Sequence, residues 1–273
     1  MAKFDSYVFL LIIVSGAITV LNACNSSGAE VEEQVVPLQV GEKAFSLRQH
    51  TSGEGGLQMI NLHEDEQTSI EASLDYLAGR AGKLTYLHHD QQRRLEFTLD
   101  GQTYSVDPNR IFTDAGIEMT LEDGGTYSEA AHQQVRELAD EILDLYNFDE
   151  QQVVIAMHNN GLNGYSIMSY TEDGNLADDA GFVHVEEDED INDFYYLTDR
   201  RFYDYLTERG YNAMLQDEEN VTNDGSLSVY SGRRGIPYIN IEAGHGHLEK
   251  QIEMINAVEQ MLLELDLIAF DSE

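Results

Sequence analysis

Residues 56–82, GLQMINLHEDEQTSIEASLDYLAGRAG, decide the fold class. The first seven residues, 56–62, form a short apolar run of the kind that becomes a buried strand. After a polar loop, segment 67–82 carries apolar residues at helical spacing and ends at glycine, which predicts a helix. A strand followed directly by a helix is the building unit of an α/β domain.

The same alternation continues along the chain. Further strands are predicted from short apolar runs at 151–158, 165–170, 212–216 and 237–243. Helices are predicted from helical periodicity at 128–146, 193–210 and 247–265. Between them, segments 83–89, 94–99 and 103–107 indicate an antiparallel section that turns at Asp100-Gly101. We therefore predict a single α/β domain with a mixed, mostly parallel central sheet and helices on both faces.

The net charge excludes one class of partner. The chain has 51 Asp and Glu against 15 Lys and Arg, which gives a formal charge of −36. Nucleic acid binding needs clustered cations, so we expect no nucleic acid partner. A carboxylate-rich surface with few lysines suits a protein that stays soluble in concentrated salt, where self-repulsion is screened. A high-salt habitat is one hypothesis, and an ordinary exported protein with an acidic surface is the alternative.

The N-terminus predicts export. Residues 7–23 are uncharged and follow Lys3, which is typical of a signal peptide. The ending Leu21-Asn22-Ala23-Cys24 resembles a bacterial lipobox, in which the cysteine is lipidated. We predict a lipoprotein-type signal peptide at 1–23, a lipidated Cys24, a flexible tether at 24–36 and a folded domain at 37–273. The protein would then be anchored by lipid to the bacterial cell envelope; an uncleaved signal anchor is the alternative.

Histidines at strand ends indicate a metal site. His63 follows the predicted strand 56–62, and ligands gather at the carboxyl ends of strands in α/β sheets. With Glu66 it forms H-x-x-E, a donor pair that suits zinc. The pattern alone is weak, because His184 and Glu187 repeat it in an acidic run. A second apolar strand ends at His158, which could supply a third ligand.

Two later segments add polar groups. Asn109 and Arg110 place an amide beside a guanidinium, whose planar fork suits a carboxylate, although Asp-Pro-Asn is also ordinary turn chemistry. The strand 237–243 carries Glu242 near its end, where the side chain could instead cap the next helix.

In this order, H-x-x-E, N-R, strand histidine and strand glutamate, the sequence resembles the zinc carboxypeptidases and the related zinc-dependent acylases such as aspartoacylase. The resemblance implies that one zinc ion binds to His63, Glu66 and His158. It implies further that Asn109 and Arg110 bind the substrate carboxylate and that Glu242 is the general base. An arginine just upstream of the N-R pair would polarise the substrate carbonyl, with Arg93 preferred over Arg94. Only the resemblance gives this role to one of the two arginines.

The resemblance implies a zinc hydrolase that cleaves an amide bond next to a free carboxylate, in the first place a metallocarboxypeptidase that acts on peptides outside the cytoplasm. The expected substrate is a peptide or, for a deacylase, an N-acyl amino acid. The alternatives are a deacylase similar to aspartoacylase and an inactive, ligand-binding lipoprotein. Two departures from the family stand against the peptidase. Asn159-Asn160 occupies the place of Ser-Tyr, and segment 220–224 lacks the family's mobile tyrosine. His245 and His247 are the rival metal ligands.

Overall fold

The computed structural model describes residues 18–20, 31–161 and 164–269. The strands of this part are β1 (Ile18–Val20), β2 (Val31–Val40), β3 (Lys43–Ser52), β4 (Leu57–Asn61), β5 (Gly82–His88), β6 (Leu95–Leu99), β7 (Gln102–Val106), β8 (Val154–Asn160), β9 (Ala180–His184), β10 (Phe194–Leu197), β11 (Ala213–Gln216) and β12 (Tyr238–Gly244). The α-helices are α1 (Gln67–Leu77), α2 (Asp114–Asp123), α3 (Glu129–Tyr146), α4 (Arg200–Thr207), α5 (Leu227–Arg233) and α6 (Leu248–Glu264). Short 3-10 helices lie at Pro108–Arg110, Phe148–Glu150, Ile167–Tyr170 and Ala177–Asp179.

Ten strands form one mixed sheet in the order β1-β2-β3-β5-β4-β8-β12-β10-β11-β9. Parallel pairing joins the central strands β5, β4, β8 and β12, and antiparallel pairing joins the strands from β1 to β5 on one side. On the other side, β10 pairs antiparallel with β12 and parallel with β11. The remaining two strands, β6 and β7, form a separate antiparallel hairpin. The predicted single α/β domain with a mixed sheet is confirmed, and its parallel part forms the centre.

Alternation along the central strands divides the core into two layers. Val154 and Ala156 of β8 pack into one cluster, while Ile155 and Met157 pack into the other. This follows from the strand period of two, which sends successive side chains to opposite faces. The first layer is covered by α2, α3 and the β6–β7 hairpin, and the second by α1, α4 and α6. The central strands are therefore buried on both faces, as their mostly apolar runs predict.

Two predicted elements are wrong. Segment 165–170 forms a 3-10 helix at Ile167–Tyr170 instead of a strand, since Ser166 caps it with a hydrogen bond from the backbone N–H of Met168. Segment 193–210 is not one helix but β10 followed by α4. All four residues of β10 are buried in the sheet, and Asp199 then caps the helix by accepting from the N–H of Arg201. Tertiary burial overrode the helical pattern here.

The N-terminal boundary also differs from the prediction. β2 begins at Val31 and pairs along its whole length with β3, so the folded part includes residues 31–36, which the sequence assigned to the tether. Within the predicted signal peptide, β1 pairs with β2. Cys24 lies outside the described residues, as do the other residues of 1–30 except β1. Among the described helices, none has the length and apolarity needed to cross a membrane.

Candidate metal centre

The β4–α1 connection carries the first two site residues, His63 and Glu66. Asn61, the last residue of β4, fixes the loop by donating from Nδ2 to Ser69 Oγ (2.7 Å) and to the carbonyl of Met157 in β8 (2.9 Å). Glu66 occupies the N-cap position of α1 but its side chain does not cap the helix. Asn159 Oδ1 accepts from the N–H of Ser69 instead (3.2 Å). The Glu66 carboxylate is therefore free of the usual capping role and turns toward the histidines.

The third residue, His158, lies in β8, and its strand neighbour is the predicted base. In the parallel pairing of β8 with β12, His158 stands opposite Glu242. Residues opposite each other in a parallel pair project to the same face of the sheet. The register thus places the two side chains side by side, on the face covered by α2 and α3.

Donor atoms of His63, Glu66 and His158 converge. The three residues are buried, and one ligand atom from each lies within 4.8 Å of the others. The Nδ1 atoms of His63 and His158 are 3.3 Å apart, and the Glu66 carboxylate oxygens lie 3.0 Å and 2.8 Å from them respectively. A tetrahedral zinc ion with bonds of about 2.0–2.1 Å has ligand atoms roughly 3.3 Å apart. The donor set and its spacing therefore fit a metal ion that takes nitrogen and oxygen ligands.

Asp107 fixes the orientation of His63. Its Oδ1 atom lies 2.7 Å from His63 Nε2, on the ring edge opposite the cluster. A carboxylate in this position makes Nε2 the donor and leaves Nδ1 as the metal-binding atom. The sequence prediction assigned Asp107 no role of its own. Its position two residues before Asn109 was the one feature of the sequence that pointed to it. The motif does not show that the side chain turns toward His63.

The carboxylates set the charge of the cluster. Burial alone would lower the pKa of His63, but Glu66 and Asp107 outweigh it and raise the value to about 9. Burial lowers the pKa of His158 despite Glu66. Burial would raise the pKa of Glu66, but the two histidines hold it well below its usual range. Without metal, these shifts favour the imidazolium form of His63 beside the Glu66 carboxylate at neutral pH.

A cavity of about 320 Å³ opens onto the cluster. Its lining includes all the predicted site residues of the folded domain: His63, Glu66, Arg93, Asn109, Arg110, His158 and Glu242. The Glu242 side chain is buried and accepts from Asn240 Nδ2 (3.1 Å). Burial, and then the charge of Glu66, raise the pKa of Glu242 well above its usual range. A carboxyl group with a raised pKa beside a metal site is suited to taking up and returning a proton.

The structure separates Arg93 from Arg94. Arg93 lines the cavity and donates from Nη1 to Glu66 Oε1 (2.8 Å). Arg94 is bound to Ser105 and to Asp123, and it is not among the cavity residues. Of the two predicted candidates, only Arg93 is placed to reach a substrate in this cavity.

Asn109 and Arg110 follow Asp107 in a 3-10 helix. Asn109 Oδ1 accepts from the N–H of Leu227 at the start of α5 (3.0 Å), which ties this turn to a second loop. Arg110 Nε lies 3.1 Å from Asp224 Oδ2, and Nη1 donates to the carbonyl of Asn109 (2.7 Å). These contacts hold the guanidinium in place at the cavity wall.

The other candidate histidines lie elsewhere. His184 lies in β9 at the edge of the sheet and contacts Glu186, not Glu187. Of the rival pair, His245 is exposed, and His247 Nδ1 lies 2.9 Å from Asp193 Oδ1. None of these three histidines belongs to the cluster found in the described part of the chain.

No protein-family model matches this sequence, and no curated protein does. Among solved structures, the ectoine utilization protein EutE (DoeB) from Ruegeria pomeroyi is similar with a TM-score of 0.46, 12% identity and coverage of 93% of this chain and 72% of that one. A succinylglutamate desuccinylase/aspartoacylase from Rhodobacter sphaeroides has a TM-score of 0.44, 13% identity and coverage of 92% and 70%. A protein assigned provisionally to the metallopeptidases, from Shewanella baltica, has a TM-score of 0.41, 13% identity and coverage of 85% and 86%. These likenesses are distant, and they assign no activity to this chain.

Proposed function

We propose that the protein is a zinc-dependent hydrolase that cleaves an amide bond next to a free carboxylate, acting on peptides as a metallocarboxypeptidase. One observation carries the proposal: the buried His63, Glu66 and His158 cluster lines the same cavity as the Glu242 carboxyl group and the Arg110 guanidinium. Metal ligands, a proton carrier and a carboxylate binder are the groups that this reaction needs.

His63, Glu66 and His158 would hold the zinc ion, with Asp107 orienting His63. When bound there, zinc supplies Lewis acidity toward a carbonyl oxygen and lowers the pKa of water. Glu242 takes a proton from the attacking water and returns it to the leaving amine, a role that suits its raised pKa.

Arg110 and Arg93 bind different parts of the substrate. The Arg110 guanidinium and the Asn109 turn bind the terminal carboxylate, because a fixed guanidinium pairs with a carboxylate through two hydrogen bonds. Arg93 stabilises the negative charge that develops on the carbonyl oxygen. In the absence of substrate its charge is balanced by Glu66 and Asp107.

The export and anchoring of the protein are part of the proposal. The uncharged segment 7–23 and the lipobox-like Leu21-Asn22-Ala23-Cys24 support a lipid anchor on Cys24, which would place the domain at the bacterial cell envelope. Metabolic labelling with a fatty acid tests this directly, since Cys24→Ala should remove the label.

The activity is tested with the purified protein and three matched substrates: a peptide with a free C-terminus, its C-terminal amide, and an N-acyl amino acid. We expect about one zinc per chain, cleavage of the free peptide and loss of cleavage on amidation. Preference for the N-acyl amino acid would favour the deacylase instead. A protein without zinc, whose ligand binding is unchanged in His63→Ala, would be an inactive descendant and would end the proposal.

Glu242→Gln isolates the proton carrier. The variant should retain zinc, because Glu242 is not among the three ligands, while turnover falls by at least about 100-fold. Glu249→Gln, an exposed change of the same kind at the start of α6, is the control. An active Glu242→Gln protein would refute the assignment.

A further inference from the structure

One acidic side chain in the cavity has no part in the proposed reaction. Four carboxylates line this cavity: Glu66, Asp179, Asp224 and Glu242. Glu66 is bound by the cluster, Glu242 is the proton carrier and Asp224 is paired with Arg110. Within the described residues, Asp179 forms no ion pair with a Lys, Arg or His side chain. Asp179 is therefore the one cavity carboxylate that has neither a role in the proposed reaction nor, among the described residues, a cationic partner.

Asp179 is held in a fixed position. It ends the 3-10 helix Ala177–Asp179, and its carbonyl accepts from the N–H of Asp217 (2.9 Å). Its Oδ1 atom accepts from the N–H of Thr222 (3.0 Å). The half-buried side chain is thus oriented by the backbone. No group among the described residues donates to its second oxygen, which can therefore interact with an occupant of the cavity.

The wall around Asp179 is aromatic and apolar. Tyr170, Leu176, Tyr196 and Val221 line this part of the cavity. The tyrosine hydroxyl groups are already paired, Tyr170 with the hydroxyl of Tyr165 (2.7 Å) and Tyr196 with Gln216 (2.6 Å). Aromatic rings attract cations, and an apolar wall accommodates the methylene stem of a lysine or arginine. This part of the cavity therefore suits a substrate group that carries a positive charge.

Asp179 shares the cavity with the rest of the site. The lining that contains Asp179 and Tyr170 also contains Arg110 and Glu242. The proton carrier, the carboxylate binder and Asp179 therefore face one common space. A residue whose carboxylate rests on Arg110 would direct its side chain along the same wall.

We propose that this cavity recognises a terminal residue with a positively charged side chain, which is bound by Asp179 beside the tyrosines while Arg110 binds its carboxylate. The inference rests on the proposed hydrolase function and adds its substrate class: peptides that end in lysine, arginine or a similar diamino acid. The strong negative charge of the whole chain would also draw a cationic substrate to the protein.

Lysine and norleucine make the sharpest pair of substrates, because they share the same straight stem and differ by the terminal ammonium. We expect kcat/KM for a peptide ending in lysine to exceed that for the norleucine peptide by roughly 30-fold, the lower end of the range for a partly buried charge pair. Asp179→Asn should reduce this ratio to about one, because kcat/KM for the lysine peptide falls. The asparagine oxygen still accepts from Thr222, so the fold is retained.

Asp178→Asn is the matched control, since Asp178 lies in the same 3-10 helix but is exposed and does not line the cavity. It should leave the ratio unchanged. Equal rates on the two peptides in the wild type, or an undiminished ratio in Asp179→Asn, would overturn the inference while the hydrolase function stands.

Calorimetric binding of free L-lysine and L-norleucine separates the two proposals when no peptide is cleaved. Tighter binding of lysine that is lost in Asp179→Asn would retain the cationic subsite and remove only the hydrolase function. Equal binding of the two amino acids would remove the subsite.

Discussion

Replacing Asp107 by asparagine tests how the metal cluster is tuned. The Asp107 carboxylate accepts from His63 Nε2 at 2.7 Å, and an asparagine oxygen can accept the same hydrogen bond. Asp107→Asn therefore keeps the orientation of the ring and removes a negative charge. Any change in metal affinity then reports on electrostatics more than on geometry.

Two effects of opposite sign determine the result. Loss of a carboxylate partner from a ligating histidine costs about 10- to 100-fold in metal affinity. Yet the same carboxylate helps to raise the pKa of His63 to about 9, and zinc can bind Nδ1 only after displacing the proton there. At pH 7, two units lower, this competition costs the wild type roughly 100-fold. A lower pKa in the variant reduces the competition, so the affinity deficit should be full above about pH 9 and smaller at pH 7.

The assay is competition for zinc with a chromophoric chelator at a series of pH values. Asp123→Asn, which removes an exposed carboxylate paired with Arg94, is the control and should follow the wild type throughout. A deficit that is constant with pH, or that grows toward neutral pH, would show that Asp107 does not raise the pKa of His63. An unchanged affinity at high pH would show that Asp107 does not support the ligand.

Three further predictions follow from the site and its supports. Without metal, the His63 pKa of about 9 lies above its unfolded value of 6.5, so protonation of His63 stabilises the fold fully below about pH 6.5 and no longer does so by about pH 9. Urea unfolding with a chelator present should therefore show the free energy of unfolding fall by roughly 3 kcal/mol across this range. This fall should be absent in His63→Gln. Arg110→Lys keeps the charge but loses the planar fork of the guanidinium, so kcat/KM for the free peptide should fall by about 100-fold, mostly through KM. An unchanged KM would contradict carboxylate binding by Arg110. Gly225→Ala should destabilise the protein by about 2–4 kcal/mol in urea unfolding, because its φ is +77° and the new Cβ would lie 2.5 Å from Gly116 Cα. Gly101→Ala is the control: its φ is +78° but the new Cβ would meet open space, so the free energy of unfolding should fall by only about 1 kcal/mol.

The sequence predicted the centre of the fold better than its edges. The central strands β4, β8 and β12 are almost entirely buried and consist mostly of apolar residues, so they give apolar runs that are visible in the sequence. The sheet edges are different: β2 and β3 are only partly buried and mix charged with apolar residues, so they give no clear run. The missed strand β10 has only four residues, and the aromatic positions of α4 follow it closely, so the two segments together gave a helical pattern.

The candidate site could be predicted only in part, for a related reason. His63, Glu66, His158 and Glu242 lie at or next to the ends of predicted strands, and strand ends in an α/β sheet converge. The partner of His63 and the carboxylate of Asp179 come from loops. Their side-chain directions depend on backbone hydrogen bonds that join distant segments, as with Thr222 and Asp179, and no local pattern encodes these.

The register of β8 with β12 has a consequence for how this protein can change. His158 and Glu242 are separated by 84 positions in the chain, yet their juxtaposition depends only on two adjacent strands of the sheet. Insertions or deletions between the strands can reshape the walls of the cavity, including the Asp179 turn, without moving the reacting groups. A single residue added within β12 would instead turn Glu242 to the opposite face. Substrate preference can therefore vary through loop length, while the chemistry is protected by the sheet.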